Sequence, residues 1–325
     1  MTKRLDYFDF LRGVAIIMVV GIHVYTIPET WESMSDLLGV IMRQMLNCAV
    51  PIFLAISGFF LGKKILNTKE ECFFFWKKQI LRVYLPCLIW SIPYFLQAVF
   101  NGDNILKELL ILLSCGYSIY YFIALIIQCY LLLPKFQNID WGGQIVCACI
   151  TMASTILIAY CGFNKLPLLL YAGPITTWIV YFTFGVYLSK HGRNYSIKVI
   201  GIVALFSFLI QIQECYYLSH NLSGGYGIKP SSCLFSMSII LLLFSTKIEK
   251  LYRDDSLFLR FIKYIGTISF GIYLIHFLVI IVLNKFNTES VWLVKWCITL
   301  LLSIIVITIG QKLLPIKINR YLGFI

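Results

Sequence analysis

Charge is what this chain has least of. Only 13% of its 325 residues are charged, and acids are the scarcer sign, with 15 Asp and Glu against 27 Lys and Arg. Acids are nearly absent from the long apolar runs, which counts against a proton-coupled transporter built on intramembrane Asp or Glu relays. The eleven cysteines are scattered and include no C-x2-C pair. Cys147 and Cys149 sit two apart on a helix, a spacing that suits neither a zinc site nor a redox pair. The cysteines therefore read as small apolar packing residues, with Cys215 and Cys233, on either side of an outer loop, the one pair left open. There is no P-loop, no metal-ligand cluster and no spacing that specifies a Ser-His-Asp set. Polar linkers are missing too, so residues 1–325 read as a single membrane domain.

What is present is apolar. Hydrophobic residues make up 60% of the chain and aromatics 16%, and the mean hydropathy is +0.85. With repeated runs near the ~20 residues that cross a bilayer, this composition predicts an all-α polytopic membrane protein. The runs are continuous rather than alternating, which excludes a β-barrel. About ten spans are predicted, over 8–28, 37–62, 80–100, 117–134, 144–162, 172–190, 196–213, 230–246, 264–284 and 293–314. Leu106 to Ser114 is too short to cross and reads as an interfacial helix. The first run follows Lys3 and Arg4 but carries Arg12 and lacks a small-residue cleavage site, so it reads as a retained span rather than a signal peptide.

Basic residues set the orientation. Twenty of the 27 Lys and Arg fall on the side of the termini and five on the other, with Arg12 and Arg43 inside spans. Both termini are therefore expected in the cytosol. The outer loop after span one (PETWESMSD) has three acids and no base. The net charge of +12 is explained by this topology, so no nucleic acid is expected as a partner.

The first span, YFDFLRGVAIIMVVGIHVY (7–25), holds three residues foreign to lipid: Asp9, Arg12 and His23. At ~100° per residue, the step from Arg12 to His23 comes to about three full turns, which puts both on one stripe roughly 16 Å apart along the axis. Ionisable groups inside a span usually face a bundle interior, so the stripe reads as a lined cavity. A snorkelling Arg and a satisfied interfacial His fit the same pattern. His276, about twelve residues into span nine, falls at a depth that lets it share the cavity with His23. Ser269, Tyr273 and His276 follow at spacings of four and three, one helical stripe carrying a hydroxyl, a phenol and an imidazole. His191 and His220 fall in predicted loops and read as solvated. Span three opens with FFFWKKQILRVYLP, where Lys78 and Arg82 project to one face and Pro86 would kink the helix. With Arg12 they form either an anion-gripping cytosolic mouth or an ordinary basic collar. Ser57-Gly58, in VPIFLAISGFFLG, marks a close approach of another helix.

These segments together resemble the acyltransferase 3 family of membrane acyltransferases. The Arg-x10-His pair of Arg12 and His23 within Asp9-Phe-Leu-Arg-Gly is similar to the family's opening motif. ISGF around Ser57, the basic lead-in with Arg82 and Pro86, Tyr121 to Pro134, FTFGVYLSK (Phe182 to Lys190) and SFGIYLIH (Ser269 to His276) resemble later segments in order. The resemblance covers nearly the whole chain, each piece weak alone and specific in combination. Where some members carry an acid in the fourth span this chain has Ile126 and Ile127, so it looks like a shorter branch without an appended domain. Another branch forms the membrane half of serine racemases, so fold alone does not settle function.

The resemblance implies an O-acetyltransferase: acyl transfer from cytosolic acyl-CoA, usually acetyl-CoA as co-substrate, to a hydroxyl of a glycan or lipid-linked sugar acceptor, in the cytoplasmic (inner) membrane of a bacterium. No bound cofactor and no metal are implied. His23 would be the catalytic imidazole and Arg12 would contact the donor or hold the site. Arg82 matches a basic position at the cytosolic mouth. Ser269, Tyr273 and His276 are candidates by depth for the oxyanion site. Beyond acyl-CoA, the acceptor and membrane lipids, a homo-oligomer is compatible with the sequence. A transporter or flippase of a small solute or lipid-linked glycan shares the polar cavity and needs no acyl donor, and a sensor on the same fold is a third reading.

Overall fold

The computed structural model describes residues 3–28, 31, 33–222, 224–253, 256–286 and 291–325, and every regular element among them is helical. The side chains of Lys3 and Arg4, and Glu29 and Glu32 of the acidic outer loop, lie outside the described residues. The first half of the chain forms α1 (Lys3–Val24), α2 (Met34–Met45), α3 (Ala49–Leu61), α4 (Lys69–Phe100), α5 (Ile105–Leu113), α6 (Tyr121–Phe136), α7 (Trp141–Tyr160) and α8 (Leu168–Ala172). The second half forms α9 (Ile179–Lys190), α10 (Ile197–Asn221), α11 (Pro230–Phe244), α12 (Thr246–Leu251), α13 (Leu257–Thr267), α14 (Ser269–Lys285), α15 (Trp292–Leu313) and α16 (Ile316–Tyr321).

Seven helical stretches among the described residues are long and apolar enough to cross a membrane, and the α13–α14 pair makes an eighth if taken as one bent span. The protein is thus a multi-pass helical membrane protein. Each of the ten sequence-predicted spans coincides with a helix or helix pair, but two of the helices are short. α9 has 12 residues and α11 has 15, about 18 and 22 Å at 1.5 Å per residue, against a hydrocarbon core of ~30 Å. α9 is apolar on all sides and buried nearly throughout from Ile179 to Val186, as expected of a helix wrapped by neighbours. α4 is the opposite case. A capping box starts it at Thr68, whose hydroxyl accepts from Glu71 N while the Glu71 carboxylate accepts from Thr68 N, so the helix begins well before the predicted 80–100. It then runs unbroken through Pro86 and Pro93.

α1 packs on α3, α13, α14 and α15, and α3 packs on α9. Two glycine-mediated crossings hold this centre together. Gly58 on α3 and Gly185 on α9 face each other's backbones, Gly58 against the Phe182 carbonyl and Gly185 against that of Ala55. Gly13 on α1 meets the Ile262 carbonyl, and Gly266 on α13 that of Asp9. A Cβ at any of these positions would overlap backbone, which explains small residues at helix contacts. The second crossing has a consequence the sequence did not announce: the predicted straight span 264–284 is broken at Ile268, where α13 and α14 meet at 81°. α13 lies along the start of α1 while α14 follows its far end.

α5, the predicted interfacial helix, spans nine residues and leaves Leu106 and Leu110 exposed. All eleven cysteines are free thiols.

Candidate active site

The end of α1 is fixed by indoles. Trp296 on α15 donates to the Ile17 carbonyl at 2.8 Å and Trp292 to the Gly21 carbonyl at 3.1 Å. These bonds lock the last turns of α1 and so the direction of His23. Its imidazole lies with the ring centre 5.4 Å from that of His276 on α14, with Phe277 edge-on at 6.2 Å. His276 is fully buried, and its Nδ1 lies 3.0 Å from the Ile272 carbonyl. Only a ring N–H satisfies that carbonyl, so in the neutral ring Nε2 is a bare acceptor. Nε2 is buried and has no hydrogen-bond partner among the described residues. The two histidine rings thus meet, but only His23 lines the cavity described below; His276 lies behind it.

His23 lines a cavity of about 330 Å³ at the end of the bundle where α1 finishes. Arg43, Asn47, Pro51, Tyr121, Tyr181 and Lys229 line it with His23. Another wall is the 172–178 segment, with Ala172, Thr177 and Trp178. Gln128 on α6 pins that wall, donating to the Gly173 carbonyl at 2.8 Å and accepting from Ile175 N at 3.1 Å. Trp178 closes the turn by donating to the Ala172 carbonyl at 2.7 Å.

Arg43 and Lys229 are the residues the sequence reading passed over. Arg43 sits in the last turn of α2, before a 3-10 turn at Leu46–Cys48. Pro51 has no N–H to give the Asn47 carbonyl, which favours such a tightened turn here. Arg43 donates to Asn47 Oδ1 at 2.5 Å. Asn47 in turn donates to Gln44 Oε1 at 3.0 Å, and that same oxygen accepts from Gln211 at 3.0 Å and from Lys229 Nζ at 2.6 Å. Gln44, Gln211 and Lys229 are wholly buried. The legible signal was a cluster of polar side chains, Arg43-Gln44 and Asn47, within an apolar run.

The other sequence-predicted residues are placed elsewhere. Arg12, at the opposite end of α1, pairs with Asp9 at 2.5 Å and lies over the Phe60 ring at 5.1 Å. Nearby, Arg193 and Lys63 face the Phe59 ring at 5.1 and 5.2 Å. Lys78 and Arg82 are exposed on α4. Tyr273 is buried and donates to the Ile119 carbonyl at 2.5 Å, while Tyr120 donates back to the Leu274 carbonyl at 2.7 Å. That reciprocal pair staples α14 to the turn before α6 and occupies the Tyr273 proton. Ser269 is buried at the start of α14. The structure therefore brings His23 and His276 together, with Tyr273 beyond His276 at 6.2 Å between ring centres, and holds Arg12 at the far end of the same helix. His191 stacks on Tyr187 at 4.0 Å and His220 packs on Tyr216 at 4.1 Å, both at helix ends away from the cavity. No group of three or more metal-ligating side chains gathers among the described residues.

The arrangement offers an imidazole facing a polar cavity, with a second imidazole at its back. A neutral histidine so placed can take a proton from a hydroxyl entering the cavity. Comparison with known proteins is consistent with that chemistry. A family model described as an acyltransferase domain, that of acyltransferase 3, matches residues 5–311. No curated protein and no solved structure matches the chain.

Proposed function

The chain belongs to the acyltransferase 3 family, and from that premise we propose that it transfers an acyl group, usually acetyl, from a cytosolic acyl-CoA to a hydroxyl of a cell-envelope glycan or lipid-linked sugar. The observation that carries this reading is His23, aimed into the cavity and backed by His276 at 5.4 Å between ring centres. His23 removes the acceptor hydroxyl's proton as the oxygen attacks the thioester carbonyl. The C–S bond then breaks, and the departing thiolate takes the proton from the imidazolium. His276 supports His23 from behind through ring packing. The donor approaches from the other end of α1, where Arg12, roughly 16 Å below His23 along the helix, is a contact for its phosphates together with Arg82 and Lys78 on α4. Histidine between two chemically different approaches suits a reaction whose two substrates reach one centre from opposite faces of a bacterial cytoplasmic membrane. Both termini are then cytosolic, as the basic-residue bias supports.

The test is acetyl transfer by the purified protein in lipid. His23→Ala should abolish release of CoA from acetyl-CoA in the presence of envelope glycan while protein levels in the membrane stay normal. Activity near that of the unaltered protein in His23→Ala would remove His23 from the reaction.

A further inference from the structure

The cavity beside His23 contains two buried cations, neither with an acid in direct contact among the described residues. Arg43 is 9% exposed and Lys229 not at all, and both line the cavity. Neither makes an ion pair among the described residues. Two acidic groups act on Lys229, first the Cys215 thiol, which accepts from Gln44 Nε2 at 3.2 Å, and then Glu214. Its carboxylate is committed elsewhere, accepting from Tyr160 OH at 2.7 Å and from the Ser231 backbone N at 3.0 Å and hydroxyl. Burial pushes the Tyr25 and Tyr226 phenols, outside the spans at this end, above their ordinary values, so neither supplies negative charge.

The donor count points the same way. A guanidinium has five N–H donors and an ammonium three. Arg43 uses one on Asn47 and Lys229 one on Gln44, and no other side chain or carbonyl among the described residues takes the rest. Burying a charge is costly unless it is paired, and a bare pair of cations around an open volume fits an anion. Gln44 explains why the cations stay put when the site is empty. It is neutral, it accepts from Lys229, and Asn47, which bonds to it, holds Arg43.

We propose that this cavity recognises an anion, and that the acceptor carries a phosphate or carboxylate seated between Arg43 and Lys229 with its hydroxyl at His23. The placement of the hydroxyl rests on the acyltransferase reading; the anion site itself does not. A sugar phosphate and a sugar acid present the same chemistry to a guanidinium and an ammonium, so the two sources are separated by the probe.

The full-length protein in lipid nanodiscs, at constant ionic strength in chloride, is followed by thermal unfolding. The probes are inorganic phosphate, sn-glycerol 3-phosphate against glycerol, and glucuronate against glucose. A saturable rise in unfolding temperature with at least one anion, and none with its uncharged counterpart, is expected. Arg43→Gln and Lys229→Met should each weaken that response at least tenfold, and Lys229→Arg should keep it. Gln44→Glu, which sets a carboxylate beside Lys229, should abolish it in a protein that remains folded, and serves if the other variants fail to fold. No saturable response to any of the anions overturns the proposal, as does a response preserved in the variants. A loss of stabilisation by CoA in Lys229→Met overturns it too, because the cations would then belong to the donor. A phosphate or glucuronate response in a protein that never turns over acyl-CoA would keep the anion site and remove the acyltransferase reading. Turnover that depends on His23 but shows no anion response would do the reverse.

Discussion

A single methyl group at Gly58 should loosen the centre of this protein. A Cβ built there would lie 3.0 Å from the Phe182 carbonyl carbon and 3.1 Å from Val186 N, with the Phe182 oxygen nearer still. Ordinary contact is about 3.5–4.0 Å, and a gap of 0.5–1 Å already forfeits roughly a quarter to a half of each contact's ~0.1–0.2 kcal/mol. Moving α3 off α9 affects a few dozen such pairs, a loss of about 1–3 kcal/mol, in line with overpacked cores. Against it stands the gain of Ala over Gly in a helix, about 1 kcal/mol. The control is Gly201→Ala on α10, where a Cβ meets nothing within 4 Å and only the propensity gain applies. Gly58→Ala should therefore unfold several degrees below Gly201→Ala in a thermal ramp of the lipid-embedded protein. It should also lose activity, because α3 carries Pro51 and the helix after Trp178 carries Tyr181 into the cavity. If Gly58→Ala is as stable as Gly201→Ala, the tight α3–α9 crossing is wrong.

Other substitutions probe the polar framework and the topology. Gln44→Leu removes the oxygen shared by Asn47, Gln211 and Lys229; with the buried donors left unpaired it should cost about 1–3 kcal/mol, read as a lower unfolding temperature that Gln44→Glu does not show. Gln128→Leu frees the 173–175 wall from both of its side-chain bonds, and should depress turnover more than stability. Cys161, exposed just after α7, should react with a membrane-impermeant maleimide in intact cells, and Cys72, near the start of α4, only after permeabilisation. The opposite pattern would invert the assigned orientation.

The sequence displayed what periodicity and hydropathy can carry. The helical segments were legible from their length, and Gly58 as a contact from the small pair Ser57-Gly58. The meeting of His23 and His276 followed from depth alone, because alternating spans fix how far each residue lies from a common face. Three things did not show. The break at Ile268 has no proline to announce it; it comes from Gly13 and Gly266 letting α13 lie against α1, a tertiary cause. The occupied hydroxyl of Tyr273 depends on the Ile119 carbonyl, far away in sequence. Arg43 and Lys229 were counted as one span residue and one loop charge, since nothing local reveals that α2, α10 and the start of α11 converge on Gln44.

The central claim is that His23 performs acyl transfer, and the direct measurement is the fate of radiolabelled acetyl-CoA with purified protein in lipid and envelope glycan as acceptor. Release of free CoA with label on the glycan, both lost in His23→Ala while the variant folds and inserts normally, is the predicted result. Undiminished transfer by His23→Ala, or failure of the unaltered protein to bind acetyl-CoA, would contradict it.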